Sequence, residues 1–363
     1  MKVVIRADAS LNMGTGHVMR CLTLAEALKK QGADIMFICR EHDGHLLERI
    51  EQQGFKTYAL PKVHDEDKIA NAEADNNELY GRCWLGSTQQ QDAELCRPIL
   101  ERIQPDWLIV DHYGIDQIWQ TGLAPYYGKV MVIDDLANRV HRCDVLLDQT
   151  YGRQIDDYAN LVPPQTKLLL GSAYALLRPE FAQWREYSLQ RRRKPEFKKL
   201  LITMGGVDPD NVTGEVLTVL EKCSLPEEMR IIIVMGATAP HLESVKRQST
   251  LMANKVSVKV NVDNMAELMA NADVAIGAAG ATTWERCCLG LPSIMIVLAD
   301  NQKEISGLLC KDLVSLTIDE GRLQTGVKMI ESISMQHLTE LSNNSAKLLD
   351  GAGVNRVVQV LSS

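Results

Sequence analysis

The chain has 363 residues, more than one hydrophobic core usually serves, so two domains are expected. Hydrophobic residues make up 45% and charged residues 24%, the balance of a globular protein rather than a disordered one. The formal net charge of −8 argues against nucleic-acid backbone binding, which needs a clustered positive field.

The opening Met1-Lys2-Val3-Val4-Ile5-Arg6-Ala7-Asp8 has neither the charged start nor the long apolar run of a secretory signal. No apolar stretch approaches a membrane span, so no membrane partner is expected. The nine cysteines are odd in number, dispersed and free of C-x-x-C pairs. That usage implies a reducing, cytoplasmic setting, with no disulfide framework, zinc site or cofactor.

Val3 to Ile5, Ile35 to Cys39, Trp107 to Val110, Val130 to Ile133 and Val145 to Leu147 are expected as buried strands. They lack polar alternation, as strands of a parallel sheet do when helices cover both faces. Between the first two, Val18, Cys21, Leu22, Ala25 and Leu28 share one helical face, and Gly32 stands where a helix-ending glycine belongs. A polar, basic stretch from Gln190 to Lys199 follows, with Arg191, Arg192, Arg193 and Lys194 read as a solvated linker or helix end. A second series then begins: Leu200 to Thr203, Ile231 to Met235, Val256 to Val260, Val274 to Ile276 and Ser293 to Leu298 as strands, with Met265 to Ala270 and Thr282 to Leu289 as helices. The fold class is α/β, with two Rossmann-like domains whose open sheets face a cleft. The expected bounds are 1–185, 186–345 and a carboxyl-terminal helix over 346–363.

Ligands of such sheets bind beyond the carboxyl ends of the strands, so three glycine turns there are candidate sites. The first, Arg6 to His17, places Gly14 and Gly16 before a helix start, where backbone can approach a ligand closely. Gly14-Thr15-Gly16-His17-Val18-Met19 fails as a dinucleotide fingerprint, because Met19 replaces the third glycine or alanine. The second turn, Met204-Gly205-Gly206-Val207-Asp208-Pro209-Asp210-Asn211, offers Asp210 or Asn211 as a helix cap and Gly206 as a contact. The third, Gly277-Ala278-Ala279-Gly280-Ala281-Thr282-Thr283-Trp284-Glu285, combines small residues with two hydroxyls at a helix start, a phosphate-sized arrangement. Glu285 is either a helix-dipole partner or an acceptor for a ribose diol.

Val262 to Met265, Ala272 to Gly277, Gly280 to Glu285, Gly290-Leu291-Pro292 and Asp300-Asn301-Gln302 resemble the donor half of glycosyltransferase B enzymes, notably the N-acetylglucosaminyltransferase of peptidoglycan precursor synthesis. That resemblance implies Met265 against uracil, Gly280, Thr282 and Thr283 at the diphosphate, Glu285 at the ribose, and Gln302, beside Asn301, at the sugar. Arg6 to Ser10, Met13 to Cys21, Asp111-His112-Tyr113 and Ile133 to Arg139 are similar to the UDP-sugar hydrolases of pseudaminic acid biosynthesis. The two likenesses together span essentially the whole chain, and Trp284 departs from the pattern. They imply release of UDP and free sugar from UDP-2,4-diacetamido-2,4,6-trideoxy-β-L-altrose, with inversion at C1 and His17 as catalytic base. The alternative is a UDP-sugar glycosyltransferase of the same fold.

Within that reading a neutral His17 imidazole takes a proton from the attacking water. UDP is a good leaving group, which lessens the need for a carboxylic acid catalyst. Arg6, Asp8 and Tyr113 are expected contacts for the polar sugar. His112 ends a strand and is a second candidate base. Asp134-Asp135 is read as structural rather than as a metal site.

Overall fold

The computed structural model describes residues 1–62, 82–299 and 302–363, so Asn301 lies outside the described residues. The chain divides into two compact units, Met1–Leu176 with Val354–Ser363, and Leu177–Gly353.

The first unit carries β1 (Lys2–Ala7), β2 (Asp34–Arg40), β3 (Lys56–Leu60), β4 (Trp107–Asp111), β5 (Lys129–Ile133), β6 (Val145–Asp148) and β7 (Lys167–Leu170). They form one parallel sheet in the order β3-β2-β1-β4-β5-β6-β7. Val3 and Ile5 point to one face, where they meet Val18, Cys21, Leu22, Ala25 and Leu28 of the Gly16–Lys30 helix. Val4 points to the other, with Leu100 and Trp119. This two-sided burial is why the strands read as continuous apolar runs. The first helix ends as expected: Gly32 has φ +84°, its N–H bonds the Lys29 carbonyl, and Ala33 N–H bonds that of Leu28.

The second unit carries β8 (Lys199–Thr203), β9 (Arg230–Met235), β10 (Lys255–Val260), β11 (Val274–Ala278), β12 (Ser293–Val297) and β13 (Leu316–Asp319), all parallel, in the order β10-β9-β8-β11-β12-β13. Ile202, Ile231, Ile233, Ile276 and Ile296 build its core with Val216 and Leu220. In each sheet the first strand of its series has neighbours from both directions of the winding. The switch points therefore fall between β1 and β4 and between β8 and β11, where open α/β sheets place ligands.

Three features differ from the sequence reading. The units divide at Leu176/Leu177 rather than after 185, because the Pro179–Arg192 helix packs on the second unit: Ser188 and Arg192 hydrogen-bond the Leu289 carbonyl. The basic run is a helix end, one of its two expected readings, but it is not solvated where it begins. Buried Arg192 also donates to the carbonyls of Met269 and Ala272, and Arg191 pairs with Asp273. Two of those carbonyls sit at the end of the Met265–Asn271 helix, where a cation is favoured. The terminal segment is also two helices rather than one. Met335–Leu348 belongs to the second unit, while Gly353–Leu361 returns to the first, burying Val357 and Val358 against the same face as the first helix.

Candidate active site

At the first switch point, the loop after β1 closes on itself. Ser10 and Gly14 exchange backbone hydrogen bonds of 3.3 and 2.8 Å, and Gly14 takes φ +77°, a conformation that needs glycine. Gly14 and Gly16 face open space and leave the helix start uncovered. His17, 6% exposed, stands at the second residue of that helix.

The carboxylate ending β4 reaches it: His17 Nδ1 lies 2.6 Å from Asp111 Oδ1. Arg20, one turn along, donates to the same carboxylate from Nε at 2.6 Å and Nη2 at 2.7 Å. Burial alone would raise the Asp111 carboxyl, but Arg20 and His17 outweigh it and hold it well below the usual carboxylate range. An ionised carboxylate only accepts, so His17 Nδ1 carries the hydrogen, and the lone pair of the neutral ring is on Nε2. Tyr113 sets its ring edge-on to the imidazole at 4.6 Å. Its hydroxyl donates to Asp135 at 3.1 Å, and Arg20 Nη1 donates there at 2.6 Å. Asp111, Arg20 and Asp135 are thus the residues that sequence reasoning left without a role. The Asp-His-Tyr and Asp-Asp motifs marked two of their positions, whereas Arg20 carried no signal beyond its place in the Met13 to Cys21 stretch.

Arg6, Asp8 and His112 lie deeper. Arg6 and Asp8 are both fully buried; Arg6 donates to Asp8 at 2.5 Å and to Asp92 at 2.8 Å, and Arg40 N–H donates to Asp8 at 2.7 Å. Two of the residues expected at the sugar, Arg6 and Asp8, are therefore placed in an ion cluster beneath the strand ends. His112 accepts from Gly114 N–H at Nδ1 (2.9 Å), and its Nε2 stands 3.5 Å from Asp8. Burial pushes its pKa down to about 3, so it is neutral with its remaining hydrogen turned to Asp8. Asp134 is fully buried, with Arg139 at 2.8 Å and Tyr158 donating at 3.0 Å. Among the described residues, no group of three or more histidines, cysteines and carboxylates is arranged to hold a metal ion.

At the second switch point, Gly205 takes φ +92° and Gly206 is exposed. Asp208, not Asp210 or Asn211, receives the N–H groups of Val212 (2.9 Å) and Thr213 (3.0 Å) at the start of the Val212–Leu220 helix. Asp208 achieves this from φ +47°, a geometry that the order of residues did not reveal.

In the third turn, Gly280 has open space beside it, and Thr282 and Glu285 are half-buried. Thr283 is buried and donates to Met295 Sδ at 3.5 Å, while Trp284, 5% exposed, turns into the core. Burial raises the Glu285 pKa to about 7, opposed by Arg178, whose Nη2 is 3.7 Å away. Met265 is half-buried at the start of its helix, and Gln302 Oε1 accepts from Leu298 N–H at 3.0 Å.

Comparison with known proteins agrees with this geometry. Residues 200–352 match the glycosyltransferase family 28 C-terminal domain. The uncharacterized protein MJ1062 of Methanocaldococcus jannaschii is 27% identical over 310 residues, 84% of this chain but 57% of that protein, so this chain spans little more than half its length. The UDP-2,4-diacetamido-2,4,6-trideoxy-β-L-altropyranose hydrolase of Campylobacter jejuni is 28% identical over 312 residues, 86% of this chain and 97% of that one. Among solved structures, MurG of Acinetobacter baumannii superposes with a TM-score of 0.68 at 15% identity, covering 99% of both chains. Residues 200–352 accordingly resemble the glycosyltransferase family 28 C-terminal domain, in a chain that has the glycosyltransferase B fold of two Rossmann-like units.

Proposed function

We propose that this protein is a nucleotide-sugar enzyme that hydrolyses UDP-2,4-diacetamido-2,4,6-trideoxy-β-L-altrose to UDP and the free sugar, without a metal and with inversion at C1. The observation that carries the reading is the pairing of His17 with Asp111 at the first switch point. Asp111 fixes the tautomer, so Nε2 takes a proton from water as the water attacks the anomeric carbon. Asp111 also stabilises the imidazolium that forms, while Arg20 keeps the carboxylate ionised and in place. The similarity to a hydrolase of that substrate over most of both chains supports the choice of sugar.

In this reading the second unit holds UDP. Met265 lies against uracil, Glu285 accepts the ribose hydroxyls, and Gly206, Gly280 and Thr282 take the diphosphate. Thr283, expected there too, is buried with its hydroxyl on Met295 and Arg286 and supports the turn from beneath. Gln302 is left for the sugar. Donors aimed at the departing diphosphate stabilise its developing charge. A UDP-sugar glycosyltransferase is the second reading, favoured by the family 28 domain; it differs in needing an acceptor other than water.

One experiment separates them. In oxygen-18 water without any acceptor, the enzyme should release UDP, with label on the sugar's anomeric carbon and the inverted anomer in early NMR spectra. Release only with an added acceptor would select the transferase. Label in UDP would mean attack at phosphorus and would remove the hydrolase reading.

A further inference from the structure

The third turn hides a cation that the reading above does not use. Arg286 is fully buried, one residue beyond Glu285. Its guanidinium folds back under the turn: Nη2 donates to the Ala278 carbonyl at 2.8 Å and to Thr283 Oγ1 at 3.1 Å, and Nη1 to Thr282 Oγ1 at 3.2 Å. Its Nε has no hydrogen-bond partner. Among the described residues no carboxylate forms an ion pair with it; every acceptor is a carbonyl or hydroxyl oxygen. The room it occupies is reserved by Gly277, where a Cβ would stand 2.5 Å from Nη1.

A buried guanidinium without an anionic partner carries a large desolvation cost. Burial lowers the Arg286 pKa only to about 10, so it stays charged near neutrality. The buried Arg6, Arg40 and Arg139 each pair with an aspartate. Arg192, which like Arg286 has no carboxylate hydrogen bond, satisfies three carbonyls with all three of its nitrogens, whereas Nε of Arg286 is left over. Arg286 also acts on its neighbour. Thr282 Oγ1 accepts from the guanidinium, so the hydroxyl's own hydrogen is directed away from it and is free to donate elsewhere. A glycine turn with a positive charge beneath it that no carboxylate contacts directly, Glu285 acting on it only through space, and with a polarised hydroxyl at its end is complementary to an anion.

We propose that Arg286 is the positioning residue of the diphosphate subsite, a standing countercharge beneath the Ala278–Thr282 turn that acts on the nucleotide without touching it. This rests on the second unit holding UDP. At a separation of several ångströms in a partly buried setting, one such charge corresponds to an affinity change of about tenfold to a hundredfold.

The test is calorimetric titration of the full chain with UDP and with uridine. In the unchanged protein UDP should bind much more tightly than uridine. Arg286→Met should cut that preference by about tenfold to a hundredfold while leaving uridine affinity within about twofold. A loss shared equally by both ligands, or an unchanged preference, would overturn the assignment. Arg286→Lys keeps the charge and should retain most of the preference. If the methionine variant does not fold, the lysine variant decides, since collapse of the preference there would refute a charge-based role. Failure of the unchanged protein to prefer UDP over uridine would instead overturn the UDP reading itself.

Discussion

Replacing Asp111 by asparagine changes one oxygen for one nitrogen and keeps the shape of the fully buried side chain. In the native site that carboxylate receives His17 Nδ1 at 2.6 Å and two Arg20 nitrogens at 2.6 and 2.7 Å. An amide cannot serve all three. Oδ1 receives both His17 Nδ1 and Arg20 Nη2 while Oδ2 receives Arg20 Nε, so an NH2 group in either place meets an Arg20 donor, and in the Oδ1 place it meets His17 as well. In that place it makes the imidazole accept at Nδ1 and moves its hydrogen to Nε2, where the base is needed; in the other it keeps the tautomer but removes the charge that stabilises the imidazolium. Loss of the correct tautomer or of the carboxylate charge is expected to lower kcat by about a hundredfold to ten-thousandfold with KM changed little. Removing a buried charge from its partners should also cost about 3–5 kcal/mol of stability, towards the lower end because Asp135 still holds Arg20 Nη1. The assay is UDP release under saturating substrate, with urea denaturation to measure the stability term separately. His17→Ala and the double variant complete the cycle. If the residues act as a unit, the double variant should be no slower than His17→Ala alone. A folded Asp111→Asn protein with kcat within about threefold of the original would refute the dyad and return attention to His112.

Glu285→Ala should weaken UDP binding by about 1.5–3 kcal/mol, the scale of charged hydrogen bonds to a ribose diol; unchanged affinity in calorimetry would leave Glu285 as a helix-terminal residue only. Because its folded pKa is raised to about 7, uridine affinity should rise as pH is raised through about 7, when the carboxyl becomes an acceptor. The stability of the unliganded protein runs the other way: the carboxyl's contribution is fully present below its unfolded value and lost as pH rises through about 7. Glu285→Gln should flatten both profiles, and persistence of either would assign it to another group. Activity should survive excess chelator, since Asp134 and Asp135 already face Arg139 and Arg20. Loss restored by magnesium would show that these carboxylates hold a metal during turnover.

The repeating order of apolar runs and amphipathic helices is enough to specify two parallel α/β units, because burial on both sheet faces imprints itself locally on each strand. The same local logic marks the helix with His17, its closing Gly32, and the glycine turns at strand ends, where backbone geometry admits few other residues. Of the four edge strands among the described residues, only Lys255–Val260 is legible in the sequence, and the other three escape this reading. Lys56–Leu60, Lys167–Leu170 and Leu316–Asp319 are short and partly exposed, and pairing with a neighbour makes them strands. Side-chain partnerships escape it more completely. Nothing near Asp111 in the chain announces His17, Arg20 or Cys21, nor does the run after Gln190 announce that Arg192 satisfies the carbonyls of Met269, Ala272 and Leu289. The sequence puts Asp8 and Arg6 at the end of the first strand, but only tertiary packing decided that they bind each other. Backbone preference and hydrophobic period are properties of neighbouring residues, whereas the pairing of buried charges is chosen by whichever distant side chains the closed sheet brings within reach.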